Sequence, residues 1–384
     1  MSKSSTNVYS IPFNRPFLTG REVEYILDAV QSGKISGNGK YTVNCQKLLE
    51  KQYGFQKVLL TTSCTDALEM SALLAGISPG DEVILPSYTF VSTANAFALR
   101  GARLVFADCQ ETHPNLDPQH VESLITPRTK AVVLVHYAGV ACEMGHFKKI
   151  CNENKLYLIE DAAHALDSYY KGVPLGSIGN LGTFSFHETK NIISGEGGAL
   201  LINDPEMIER AEILWEKGTN RSAFEQGKSS YYTWVDLGSS YLPSDVISAF
   251  LYAQLERIRE IQDKRKSLWY LYQKGLQNLE QNDCLCLPYV PYYASVNGHM
   301  FYIVCKDTTL RQKLINYLKK KGILAIFHYI PLHSSPYAKQ LGINVDLPNT
   351  DKFSGCLLRL PLFYSMKLEE IEYIIENINS FFKC

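Results

Sequence analysis

Seven short, β-rich apolar runs in the first part of the chain constrain its fold more than any other feature. They are VLL around Leu59, EVIL ending at Leu85, RLVFA ending at Ala107, AVVLV ending at Val135, LYLIE ending at Glu160, TFSF over 183–186 and ALLI over 199–202. Several are apolar on consecutive residues instead of alternating ones, as strands covered on both faces require. Segments of helical character lie between them, such as 66–75 and 146–154. Strand and helix in alternation predict an α/β layer structure around a mainly parallel sheet.

The texture changes after Gly238. A long helical pattern starts at Ser244, which can cap it, and runs through Leu255, Ile258 and Ile261 towards Leu271. A loop with Pro288 and Pro291 follows, then a smaller α+β block with the strands MFYIV (300–304) and LAIFHY (324–329). Two domains are expected: a large one over 1–243, and the long linking helix with a small C-terminal domain over 244–384. A chain of 384 residues is long enough for that division.

A net charge of −1 supplies no global field to attract nucleic acid or an anionic membrane, so any anion site must be local. The longest apolar stretch, 131–135, is far short of a bilayer span, and the first ten residues are too polar for a secretory signal. The ten cysteines contain no C-x-x-C pair, so neither a zinc ribbon nor a thioredoxin-type site is indicated, and no metal is expected. Most of the thiols are expected to be buried, in a cytoplasmic protein.

Four features carry chemistry, and each has a plain structural alternative. Thr62-Ser63-Cys64-Thr65-Asp66 follows a strand and opens a helix, where free amides and the helix dipole make an anion site; the same residue types also simply cap helices. No G-x-x-x-x-G-K-[ST] or G-x-G-x-x-G accompanies it, which speaks against ATP and dinucleotides. Glu160-Asp161-Ala162-Ala163-His164 puts a carboxylate just past a strand, where open α/β sheets bind ligands, although an Asp there can equally cap a helix. A carboxylate in that place suits pyridoxal phosphate (PLP), because it keeps the pyridine nitrogen protonated.

Lys190 follows an apolar strand and precedes the glycine cluster of Gly195, Gly197 and Gly198, a setting in which a lysine can form a Schiff base instead of standing as a solvated charge. Thr183 and Ser185 share one strand face, so either hydroxyl can reach a phosphate; both also suit an ordinary polar face. Phe90, in Ser87-Tyr88-Thr89-Phe90, offers a ring for stacking or for core packing.

These features occur in the order phosphate cradle, aromatic, carboxylate, lysine, each just past a strand end. With the stretches PSYTFVSTANAF (86–97), VHYAGVACEM (135–144), FSFHETKN (184–191), KGTNRS (217–222), GSSYL (238–242), FHYIPLH (327–333) and LRLPLFY (358–364), the chain resembles the nucleotide-sugar aminotransferases of PLP fold type I, the DegT/DnrJ/StrS-like family, from Ile11 onwards. Within that family the likeness is nearest to the transaminases that make dTDP-4-amino-4,6-dideoxygalactose.

The resemblance implies an aspartate-aminotransferase-like fold, with a central seven-stranded, mostly parallel sheet and helices on both faces. It implies that Lys190 anchors PLP and shuttles protons, that Asp161 holds the pyridine nitrogen, and that His164 lies near the 3-hydroxyl. Phe90 stacks on the ring, while Thr65, the Asp66 amide and Ser185 hold the phosphate. The family's usual Asn, presented from a neighbouring subunit near Gly238, is absent from Gly238-Ser239-Ser240-Tyr241, and its role falls to Ser240. Asn220, Arg221, His328, Tyr329 and His333 are further candidates for the sugar-nucleotide cleft.

The implied reaction is a ping-pong transamination through pyridoxamine phosphate. It carries the amine of L-glutamate to C4 of a dTDP-4-keto-6-deoxyhexose, in a homodimer with shared active sites. The alternatives are a 3-keto-sugar nucleotide aminotransferase and a catalytically silent nucleotide-sugar-binding homologue. A PLP-type sugar dehydratase, which replaces the Schiff-base lysine by histidine, is disfavoured by Lys190. A nicotinamide-dependent reductase or epimerase is disfavoured by the missing glycine fingerprint.

Overall fold

The computed structural model describes residues 10–383. The polar start of the chain, up to residue 9, lies outside the described residues.

The apolar runs become strands, each a little offset from the run that announced it. In chain order they are β1 (Lys57–Thr61), β2 (Glu82–Pro86), β3 (Arg103–Ala107), β4 (Thr129–Val135) and β5 (Tyr157–Asp161). A two-residue hairpin, β6 (Tyr169–Tyr170) and β7 (Val173–Pro174), precedes β8 (Leu181–Ser185) and β9 (Gly198–Ile202). Seven of them form one sheet in the order β1-β9-β8-β5-β4-β2-β3. Every neighbouring pair from β8 to β3 is parallel, and β9 alone runs against its neighbours.

The consecutive apolar residues are explained by two cores, one on each face. Val132 and Leu134 of β4 pack into one, whereas Ala131 and Val133 pack into the other. Neither face meets water, so period-two alternation has no polar half.

The texture change after Gly238 is real, with two corrections. The helical run is two helices, Asp245–Glu256 and Ile258–Gln281, interrupted at Arg257. Ser244 caps the first, its hydroxyl accepting from the Ile247 amide at 3.4 Å. The smaller sheet has the order β10 (Leu285–Cys286), β11 (Phe301–Cys305), β13 (Leu357–Leu360), β12 (Ile326–Phe327). Ile11 joins this end of the molecule, pairing with Ile323 and packing in the small sheet's core, so it does not follow the 1–243 division. Six of the nine described cysteines are buried and all nine are free thiols. Among the described residues no helix is long and apolar enough to cross a membrane.

β5 divides its two carboxylates between structure and site. Glu160 is fully buried and accepts from His136 Nε2 at 2.9 Å and from the amides of Gly176 (2.9 Å), Ile178 (2.7 Å) and Gly179 (2.6 Å). The Cys142 amide donates to His136 Nδ1 at 3.1 Å, so Nε2 carries the ring proton. Burial opposes ionisation of Glu160, but the His136 bond and the glycine amides outweigh it and hold the carboxyl below its ordinary value of 4.5. That support is therefore present above pH 4.5 and is lost as pH falls through the folded value. Glu160→Ala leaves three amides without their acceptor and is expected to cost about 3–5 kcal/mol. Urea unfolding checks this, and the gap to wild type should narrow as the medium becomes more acidic.

Candidate active site

The carboxyl ends of β4, β5 and β8 open onto a cavity of about 670 Å³ between the large sheet and β13. This is the edge at which open α/β sheets take ligands. Val135, Asp161 and Ser185, the last residues of those three strands, all line it.

The helix Cys64–Leu74 aims its N-terminus at the same place. Ser63 caps it, its Oγ accepting from the Asp66 amide at 3.1 Å, while Cys64 and Thr65 line the cavity. Early helix amides have no acceptor within the helix, so this turn is an anion site as well as a capped end. The glycine cluster makes the approach possible. A Cβ on Gly198 would lie 2.4 Å from the Cys64 nitrogen, so any larger residue would push the helix off the sheet. Thr65 Oγ1 donates to Ser92 Oγ at 2.8 Å, and Ser185 Oγ accepts from the His187 amide at 3.4 Å, placing hydroxyls around that turn.

Asp161 lies deep in the cavity and is 5% exposed. Its Oδ2 accepts from Thr93 Oγ1 at 2.7 Å and its Oδ1 from the Ala163 amide at 3.2 Å. Burial raises its pKa, although both bonds and the Lys190 charge pull it down. Lys190 is half-buried. Burial lowers its pKa, against the pull of Cys64 and Asp161, which favours the neutral amine that a Schiff base needs. Among the described residues no acidic oxygen lies within 4.0 Å of its Nζ.

His164 is buried, and its Nδ1 has no hydrogen-bond partner among the described residues. Its ring stacks on His299 at 4.4 Å. Burial, then the charges of Lys190 and Arg359, hold its pKa well below the ordinary value, so the imidazole is neutral. Phe90 is 59% exposed and borders the cavity, which rules out core packing. His328 and Tyr329 form the opposite wall, where the Tyr137 hydroxyl meets His328 Nδ1 at 3.1 Å.

Five expected residues stand elsewhere. The Asp66 amide is spent on the Ser63 cap, its carboxylate takes the Thr62 hydroxyl, and it does not border the cavity. Ser240 bridges to Glu216 outside the cavity. Asn220 holds its own loop through Ser229 (3.0 Å) and Tyr231 (3.1 Å), and Arg221 pairs with Glu225 at 2.8 Å. His333 Nδ1 bonds to Ser87 Oγ at 2.7 Å and also lies off the cavity. Conversely, the cavity recruits residues not singled out from the sequence: Thr93, His299, Arg359 and Phe13. Only Arg359 had a local signal, as the polar residue alternating with buried Leu358 and Leu360.

The donor set fits PLP. A helix N-terminus with two hydroxyls suits a phosphate, a buried carboxylate suits the pyridine nitrogen, an unpartnered imidazole nitrogen suits a ring hydroxyl, and a half-buried amine suits the aldehyde. This geometry defines a PLP-dependent enzyme of the aspartate-aminotransferase fold.

Comparison with known proteins agrees. The sequence matches the DegT/DnrJ/EryC1/StrS aminotransferase family over residues 16–379, and the chain belongs to that family. It is 33% identical to the spore coat polysaccharide biosynthesis protein SpsC of Bacillus subtilis, covering 97% of each chain. The structure of the aminotransferase TlmJ from Streptoalloteichus hindustanus superposes with a TM-score of 0.89 at 30% identity, covering 97% of this chain and 99% of that one. Spr1654 from Streptococcus pneumoniae, described as a sugar aminotransferase and solved with pyridoxamine phosphate, gives 0.90 at 27% identity, covering 97% and 99%. The protein is a PLP-dependent sugar aminotransferase.

Proposed function

We propose that this enzyme moves the amino group of L-glutamate to C4 of a dTDP-4-keto-6-deoxyhexose, giving dTDP-4-amino-4,6-dideoxygalactose from the gluco-configured ketone. The observation that carries the transaminase chemistry is the meeting of Lys190, Asp161 and the N-terminus of the helix Cys64–Leu74 in one cavity. Support for the sugar comes from the stretches 87–97, 217–222 and 238–242, which resemble the enzymes making that amino sugar; of these, 87–97 supplies the cavity residues Thr89, Phe90, Ser92 and Thr93.

PLP, when bound, supplies an electron sink that stabilises charge at the reacting carbon. Thr65, Ser185 and the first helical turn would hold its phosphate, Asp161 its ring nitrogen, Phe90 its ring face and His164 its 3-hydroxyl. Lys190 is the covalent anchor. Its Nζ takes the proton from the α-carbon of glutamate in one half-reaction and returns one to sugar C4 in the other. Tyr329 lines the cavity and packs edge to face on Tyr88 (5.6 Å) and Tyr137 (6.3 Å), two buried rings tilted against each other at 5.4 Å behind it.

We further propose a homodimer in which Ser240, Asn220 and Arg221 serve the neighbouring copy's site. Exposed apolar residues such as Val91 beside Phe90, Leu99 at the other end of the same helix, and Trp234 and Leu237 ahead of Ser240 in the chain suit burial against a second chain. Sedimentation should then give twice the 43.3 kDa chain mass. The substrate is tested by incubating the enzyme with L-glutamate and dTDP-4-keto-6-deoxyglucose and solving the product by NMR. A 4-amino sugar of galacto configuration is expected. A 3-amino sugar, or turnover with UDP-sugars alone, overturns the substrate.

A further inference from the structure

The aldehyde and the 3-hydroxyl of PLP stand on adjacent ring carbons, so the residues that meet them must be held in register with each other. Those residues come from different pieces of chain: His164 follows β5, and Lys190 lies between β8 and β9. Asn297-Gly298-His299, just ahead of β11, touches both pieces. Asn297 Nδ2 donates to the carbonyls of His164 (2.8 Å) and Leu166 (2.9 Å). The Asn297 carbonyl in turn accepts at 3.0 Å from Nδ2 of Asn191, the residue after Lys190. Gly298 has a φ of +64°, and a Cβ there would lie 2.6 Å from the Arg265 carbonyl carbon, so this tight turn needs glycine. His299 closes the bridge. Its ring stacks on that of His164 at 4.4 Å, and its Nδ1 lies 2.9 Å from Asn191 Oδ1.

The direction of that last bond is fixed by the groups behind it. Gln262 Nε2 donates to the Leu166 carbonyl at 2.8 Å, which turns Gln262 Oε1 towards Asn191. Asn191 Nδ2 donates to that oxygen at 2.7 Å as well as to the Asn297 carbonyl. Carbonyl oxygens only accept, so Asn191 Oδ1 faces the imidazole and His299 Nδ1 carries the proton. Asn191, Gln262, Asn297 and His299 are all buried. A buried network paired in this way is stiff, because breaking one bond strands a polar partner away from water.

We propose that His299 is a positioning residue for the cofactor: its ring face sets the plane of His164, and its Nδ1 proton holds Asn191 and with it the backbone that carries Lys190. This rests on the PLP reading of the cavity. His299 acts through these two neighbours and transfers no proton itself. The two contacts are separable by substitution. His299→Phe keeps a ring against His164 and loses the proton for Asn191. His299→Asn keeps an amide N–H near the place of Nδ1 and loses the ring.

Wild type and both variants, loaded with PLP, are compared by visible spectrum, equilibrium dialysis of PLP and steady-state kinetics. His164 meets the 3-hydroxyl, so the split of absorbance between the ~420 nm band and its shorter-wavelength tautomer reports on that ring. Proton transfer by Lys190 reports in kcat. In His299→Phe, kcat should fall about 10-fold with both KM values within about twofold of wild type, the mark of a loosely held reacting group. Its band split should stay as in wild type. In His299→Asn the band split should shift and PLP should bind about 3- to 10-fold more weakly, with kcat nearer wild type. Asn191→Ala breaks the same hydrogen bond from the other side and should repeat the His299→Phe result, which covers the case in which a His299 variant fails to fold. Variants with wild-type spectrum, PLP binding and kcat overturn the assignment, as do equal losses in both that merely follow their melting temperatures. If wild type gains the ~420 nm band and the variants match it in every readout, the positioning role fails alone; if wild type gains no band with PLP, the PLP reading itself fails.

Discussion

Lys190→Ala is expected to lower turnover by ~10⁴-fold or more, because one nitrogen both anchors the cofactor and carries the proton in each half-reaction. No neighbour can substitute. The remaining cations lining the cavity are guanidiniums, which do not give up a proton near neutral pH, and the nearby imidazoles cannot form a stable Schiff base. The fold should be untouched. Nζ has no ion pair among the described residues, and burying its charge works against folding, so the thermal melting temperature should hold or rise. Single-turnover measurement with glutamate separates the two effects. A variant keeping more than about one per cent of wild-type rate would place the proton-transfer group elsewhere.

The second large effect is expected at Asp161. Asp161→Asn keeps the size and can still accept from either Thr93 or the Ala163 amide, so it should fold. It loses the negative charge that keeps the pyridine nitrogen protonated, and kcat should fall by ~10²–10³-fold, the scale of one preorganised charged contact. Burial raises the Asp161 pKa, and the anion is maintained by Thr93, Ala163 and Lys190 together. Thr93→Val should thus give a smaller loss in the same direction. Stopped-flow rates at saturating PLP check both, and an Asp161→Asn kcat within tenfold of wild type would remove Asp161 from the ring nitrogen.

The large sheet was legible because burial on two faces writes itself as unbroken apolar runs. Strands such as β4 and β5 could therefore be located from Val135 and Glu160, and with them the edge that holds the site. The reversed direction of β9 was not legible, since Ala199–Ile202 is apolar whichever way it runs. The break at Arg257 was hidden for a similar reason: Leu255, Ile258 and Ile261 enter one core, so the helical period continues across it. Ile11 pairs with Ile323 across almost the whole chain, a contact without a local signature.

In the site, the residues fixed to strand ends and the helix start (Asp161, Ser185, Thr65) came to border one cavity, as did Lys190 and His164. Asp66 did not, because capping and anion binding call on the same early amides and only the structure shows that Ser63 takes this one. His299 could not be foreseen; it reaches His164 from the other half of the molecule.

The central claim is that Lys190 carries PLP and passes the amine of an amino acid onward. The visible spectrum of purified protein loaded with PLP tests it most directly. A band near ~420 nm is expected from PLP joined to lysine, bleaching when L-glutamate is added and returning with 2-oxoglutarate. A protein that gains no such band with PLP, or whose band ignores every amino acid offered, would contradict it.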